Sequence, residues 1–121
     1  MEKVTGIGGL FFRAKDPEAL SYWYHHYLGV SPVPQSTEQL PWLQEQGATV
    51  FAPFEEDTEY FGNLNKSWMI NFRVDDLTAM VAQLEEAGIK VEISSDDSPI
   101  GKFARLTDPE GNPIELWQPA Q

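Results

Sequence analysis

The chain contains no cysteine. That excludes disulfides, thiolate catalysis and thiolate-bound metals. Basic residues are scarce: 8 Lys and Arg stand against 19 Asp and Glu, a formal charge of −11. This balance argues against nucleic acid and anionic membranes as partners. No apolar run is long enough to span a bilayer, and no basic, apolar leader pattern opens the chain. The expectation is a cytoplasmic protein. Imidazole is nearly absent too. The only histidines, His25 and His26, are adjacent, so on a helix they diverge and read as solvated residues rather than ligands. No Ser-His-Asp or Cys-His constellation can be assembled. The 121 residues suit one domain, 1–121, with a modest core.

The chain is self-similar at half its length. At an offset of 60, "LFFRAKDPEAL" lies over "INFRVDDLTAM": Phe12 falls on Phe72, Arg13 on Arg73, Asp16 on Asp76 and Leu20 on Met80. Each copy begins as a strand and runs into a helix capped by an aspartate, with Pro17 at the first helical position of the first. Leu20, Trp23, Tyr24, Tyr27 and Leu28 form one helical stripe; Leu77, Met80, Val81, Leu84 and Gly88 form the other. Gly29 and Gly88 end the helices. Strand-like pieces follow at 30–33, 40–43 and 48–54, and again at 90–93, 101–107 and 113–118. Pro32, Pro34 and Pro41 make the early pieces irregular or edge-like. The reading is α+β: two βαβββ modules, 1–56 and 67–121, joined by a polar linker at 57–66 in which Tyr60 and Phe61 are apolar exceptions. A helix covers one sheet face of each module. The two uncovered faces can then combine into a curved sheet with a concave side.

The glycines of "TGIGGLFF" are no nucleotide loop, because they precede or occupy a strand instead of leading from one into a helix. They suit a bulge or the close approach of a partner strand. The final "DPEGNPIELWQP" joins turn chemistry to an alternating strand, in which Ile114 and Leu116 face one way and Glu115 and Trp117 the other.

The tandem repeat, "FRVDDL" before the second helix and the terminal "DPEGNPIELWQP" resemble the vicinal oxygen chelate superfamily: glyoxalase I, bleomycin- and fosfomycin-resistance proteins and extradiol dioxygenases. The resemblance implies a barrel-like mixed sheet with helices outside, often completed in a homodimer. It also implies metal ligands on the first and last strands of each module. Glu115 matches one of these. Met69 stands where the family has a histidine before "FRVDD", and Gly9 is its counterpart in the first module. The strand "ATVFAPF" has no carboxylate or imidazole, and Glu55 only follows it. Such metals need three or four converging N or O ligands. The expectation is therefore no metal cofactor, with a divalent ion at Glu115 as the alternative.

Strand parity turns Phe11 and Arg13, Met69, Asn71 and Arg73, Phe103 and Arg105, and Glu115 and Trp117 toward the cup. Phe51 joins them from the last strand of the first module. All three arginines of an acidic chain fall on this face. Guanidinium groups, an amide, a carboxylate and aromatic rings suit a small organic ligand with an anionic or carbonyl oxygen. Glu115 would be a base or an acceptor for that ligand. The plain alternatives are arginines paired with nearby acids, Arg105 bridging to Glu115, and aromatics that only pack. Three functions remain in competition. One is a metal-free small-molecule binder of the glyoxalase/bleomycin-resistance kind. The second is a metal-dependent enzyme using Glu115, either a lactoylglutathione lyase-like lyase or a dioxygenase. The third is a non-catalytic structural or regulatory dimer.

Overall fold

A computed structural model of the chain describes residues 1–94 and 98–121. Helix α1 spans Pro17–Leu28. Asp16 caps it, its side chain accepting from the Ala19 amide at 3.1 Å, and Gly29 ends it in the left-handed region at φ 74°. A Cβ there would be strained, which is why glycine holds the position. Strand β1 is Ile70–Arg73 and helix α2 is Leu77–Glu86, capped by Asp76 through the Ala79 amide at 3.0 Å. Strands β2, β3 and β4 follow at Glu92–Ile93, Gly101–Thr107 and Pro113–Pro119.

The four strands form one open mixed sheet in the order β1-β4-β3-β2. β4 pairs parallel to β1 and antiparallel to β3, and β3 pairs antiparallel to β2. Both helices lie on one face. Leu20 and Tyr24 of α1 and Leu77, Val81 and Leu84 of α2 bury themselves against Ala104, Leu106, Ile114 and Leu116. The alternation expected for β3 and β4 is thus realised: the small and aliphatic residues go under the helices. Among the described residues no helix is long and apolar enough to cross a membrane.

The second module forms with its expected elements. The first keeps its helix but not its strands. The segments 30–33, 40–43 and 48–54, and the stretch before α1, carry no strand ladder. A strand is stable only when a neighbour satisfies its amides and carbonyls. Pro32, Pro34 and Pro41 remove donors, and among the described residues none of these segments pairs with a strand of the sheet. The sheet is consequently open, and much of the first half's apolar surface stays uncovered. Phe11 is 94% exposed and Phe51 84%.

The "DPEGNP" segment is the turn between β3 and β4, and it is a structural hub. The carboxylate of Asp108, 4% exposed, accepts from the Tyr24 hydroxyl at 2.7 Å, the Glu110 and Asn112 amides at 2.8 and 3.0 Å, and Asn112 Nδ2 at 2.8 Å. Glu110 accepts from the Lys15 and Asp16 amides at 2.7 and 3.1 Å, just ahead of α1. Lys66 donates to the Glu110 carbonyl and to Asn112 Oδ1, both at 3.3 Å. The turn therefore fastens α1 and the end of the linker to the sheet.

Candidate functional site

Register places the site. Opposed residues on neighbouring strands send their side chains to the same face. Asn71 pairs with Glu115, Glu115 with Arg105, and Arg105 with Glu92, so one polar row crosses all four strands on the face away from the helices. A second row runs Arg73, Trp117, Phe103. The rings of Trp117 and Phe103 are parallel within 4°, with centroids 6.2 Å apart, and Trp117 Nε1 donates to the Ile100 carbonyl at 2.9 Å.

Glu115 is only 6% exposed, and a carboxylate taken from water needs donors. It has two. Asn71 Nδ2 donates to Oε1 at 2.7 Å, and the Tyr60 hydroxyl donates to Oε2. Both are neutral. The expected bridge from Arg105 to Glu115 does not form. Arg105 instead donates to the Tyr60 carbonyl and lies over the Tyr60 ring, 4.5 Å from its centroid. A backbone acceptor and an aromatic face hold the guanidinium one step from the carboxylate. The Tyr60 hydroxyl is pushed up to about 12, by burial first and then by the hydrogen bond and charge of Glu115, against the lowering pull of Arg105. Among the described residues no buried side-chain nitrogen or oxygen lacks a partner.

A cavity of about 270 Å³ opens beside this group, lined by Tyr60, Glu92, Ile93, Ser94, Phe103, Arg105 and Glu115. A second, of about 460 Å³, is lined by residues 52–56, by Thr58, Phe61, Leu64 and Lys66 of the linker region, and by residues 67–69. Glu55 lines that one and not the cavity of Glu115.

Six of the residues read from sequence meet here: Glu115, Asn71, Arg105, Phe103 and Trp117, with Met69 Sδ 3.9 Å from Arg105 Nη2. Arg73 shares the face, but its donors are committed to the backbone carbonyls of Glu45 and Ala48. It reaches them across Gly47, where a Cβ would stand 2.8 Å from Arg73 Nε. Phe11, Arg13 and Phe51 lie in the unpaired first half and do not line the cavity. The histidines pack as helix residues, His26 stacking on Tyr22 at 5.4 Å. Sequence reasoning passed over Tyr60. The available signal was an aromatic hydroxyl inside an otherwise polar linker.

The donor set around Glu115 does not fit the metal that the resemblance implies. Around Glu115 stand a phenol and an amide that both donate to it, a thioether at Met69 and a guanidinium. Among the described residues no three His, Asp or Glu side chains are grouped to hold an ion. Glu92 is a second carboxylate on the cavity wall, but it stands two strands from Glu115 with Arg105 between them, and two carboxylates separated by a guanidinium make a weak site for a divalent cation.

Residues 9–117 match the family described as Glyoxalase-like domain. The chain belongs to this family. The glyoxalase-like fold recurs in a protein from Bacillus anthracis assigned to the glyoxalase family, 18% identical over 85% of this chain and 84% of that one, with a TM-score of 0.53. A conserved domain protein, 15% identical over 88% and 92% of the two chains, gives a TM-score of 0.56. TnmS3, an antibiotic binding protein from Streptomyces sp. CB03234, is 38% identical over 45% of each chain, with a TM-score of 0.40. The match thus spans less than half the length of TnmS3. No curated protein sequence matches the chain.

Proposed function

We propose that this glyoxalase-like protein binds a small organic molecule on the sheet face around Glu115, without a metal centre, and that it works as a homodimer. One observation carries the binding reading. A buried carboxylate held by neutral donors lies at a cavity that the Tyr60 and Phe103 rings and the Arg105 guanidinium also line, with Glu92, Ile93 and Ser94 completing its wall. Such a site offers orientation through a few polar groups and affinity through apolar contact. The free edges of the open sheet and the exposed aromatic residues of the first half support a second copy as the cover for that surface.

The test is a screen of small aromatic, carboxylate and phosphate ligands by tryptophan fluorescence, using Trp117. Glu115→Gln and Arg105→Ala should each weaken a ligand found in this way by roughly 1.5–3 kcal/mol, the scale of a hydrogen bond to a charged group. Arg73→Ala should have a smaller effect, because Arg73 holds the 45–48 segment rather than the cavity. Metal content of protein purified without chelators is the second measurement. A stoichiometric transition metal bound through Glu115 would overturn the metal-free reading and favour lyase or oxygenase chemistry.

A further inference from the structure

The linker is not a passive connection. Its Tyr60 presents a phenol to Glu115, an aromatic ring to Arg105 and a carbonyl to the same guanidinium. Phe54 also stacks on the Tyr60 ring, with centroids 5.6 Å apart and planes at 24°. The groups that would recognise a ligand are thus already satisfied by a side chain of the protein. They are satisfied in a specific chemical sense: Oε2 receives an aromatic hydroxyl, and a cation covers an aromatic face. Resting on the binding reading above, we infer that Tyr60 is a tethered stand-in for the ligand. The ligand is then a hydroxyaryl compound that displaces Tyr60 from Glu115 and Arg105.

Three features favour displacement over permanent closure. The backbone hydrogen bonds of the linker are local turns: Thr58 to Glu55, Gly62 to Glu59, Asn63 to Phe61 and Lys66 to Asn63. Among the described residues none of these backbone bonds joins it to a strand. Tyr60 itself is 40% exposed although its hydroxyl is bound to a buried group. Linker residues line both cavities, Thr58 and Phe61 one and Tyr60 the other, so open space adjoins the segment that would move. Lys66 keeps the far end of the linker fastened to the β3–β4 turn, so the movement is confined to the segment before it.

A protein whose competent state is a minority binds with an affinity reduced by that fraction. Removing the Tyr60 hydroxyl therefore raises affinity instead of lowering it. The probes are 2-naphthol and 2-methoxynaphthalene, which keep the same ring and differ in the ability to donate. Dissociation constants are measured by calorimetry for the wild type, Tyr60→Phe and Glu115→Gln, with amide hydrogen exchange of residues 55–64 followed in parallel. The expectation is about tenfold tighter binding of both probes to Y60F, the worth of one hydrogen bond to a charged group. The wild type should prefer 2-naphthol over its methyl ether, and E115Q should lose most of that preference. Exchange in 55–64 should speed up when 2-naphthol binds. Equal or weaker binding to Y60F, or slower exchange of the linker on binding, overturns displacement and leaves the binding reading intact. If neither probe binds the wild type or Y60F, hydroxyaryl recognition is wrong. The binding reading falls with it only if the wider ligand screen is silent as well.

Discussion

Asp108→Ala should be among the most damaging single changes in this chain, although Asp108 lies in a turn. Its carboxylate accepts four hydrogen bonds, from the Tyr24 hydroxyl, two backbone amides and the Asn112 side chain. Glu110 is only partly buried, so water can replace the partner of its amide. Tyr24 and Asn112 are buried, and their donors would be orphaned. At about 1–3 kcal/mol for each buried residue left unpaired, the loss comes to about 4 kcal/mol. That is a large part of the roughly 5–15 kcal/mol that stabilises a domain. With a urea m-value of about 1.5 kcal/mol/M, the unfolding midpoint falls by roughly 2.7 M. Tyr24→Phe alone should cost about 1.5 kcal/mol in the wild type and close to nothing in the D108A background, where the hydroxyl has already lost its acceptor. Urea unfolding of the four proteins of this cycle is the assay. A D108A loss under about 1 kcal/mol, or an equal cost of Y24F in both backgrounds, would refute the hub.

The remaining expectations concern the core, the Tyr60 phenol and the exposed half. Leu84, 1% exposed between α2 and the sheet, should cost about 2–5 kcal/mol when truncated to Ala, read as a shift of midpoint at constant m-value. The folded Tyr60 phenol titrates above its unfolded value of 10.0, so its contribution to stability is complete below that pH and is lost as the pH climbs through about 12. A tyrosinate absorbance titration should show this late transition moving down in E115Q without vanishing, because burial, its first cause, remains. Sedimentation should report a dimer, and Phe51→Glu, placing a charge on an 84% exposed ring, should shift it toward monomer while the circular dichroism spectrum is retained. A concentration-independent monomer for the wild type would defeat the dimer.

Local physics made much of this protein legible without coordinates. Asp16 and Asp76 are side chains that satisfy free amides at helix starts, and Gly29 tolerates a positive φ that ends a helix, so α1 and α2 could be placed from single residues. The period-2 alternation of "KFARLT" and "IELWQ" fixed which side chains share a face, and so put Phe103, Arg105, Glu115 and Trp117 together. What depends on distant partners was not legible. The expected strands of the first half needed neighbours whose presence no local pattern records, and among the described residues they pair with none. The partner of Glu115 was a matter of reach: an arginine one strand away was the obvious candidate by charge, but the phenol of Tyr60, 55 residues away in sequence, took the carboxylate and drew the guanidinium to itself. Parity decides which way a side chain points. Only the packed chain decides which of several donors arrives first, because burial of Glu115 demands donors whatever their sequence distance.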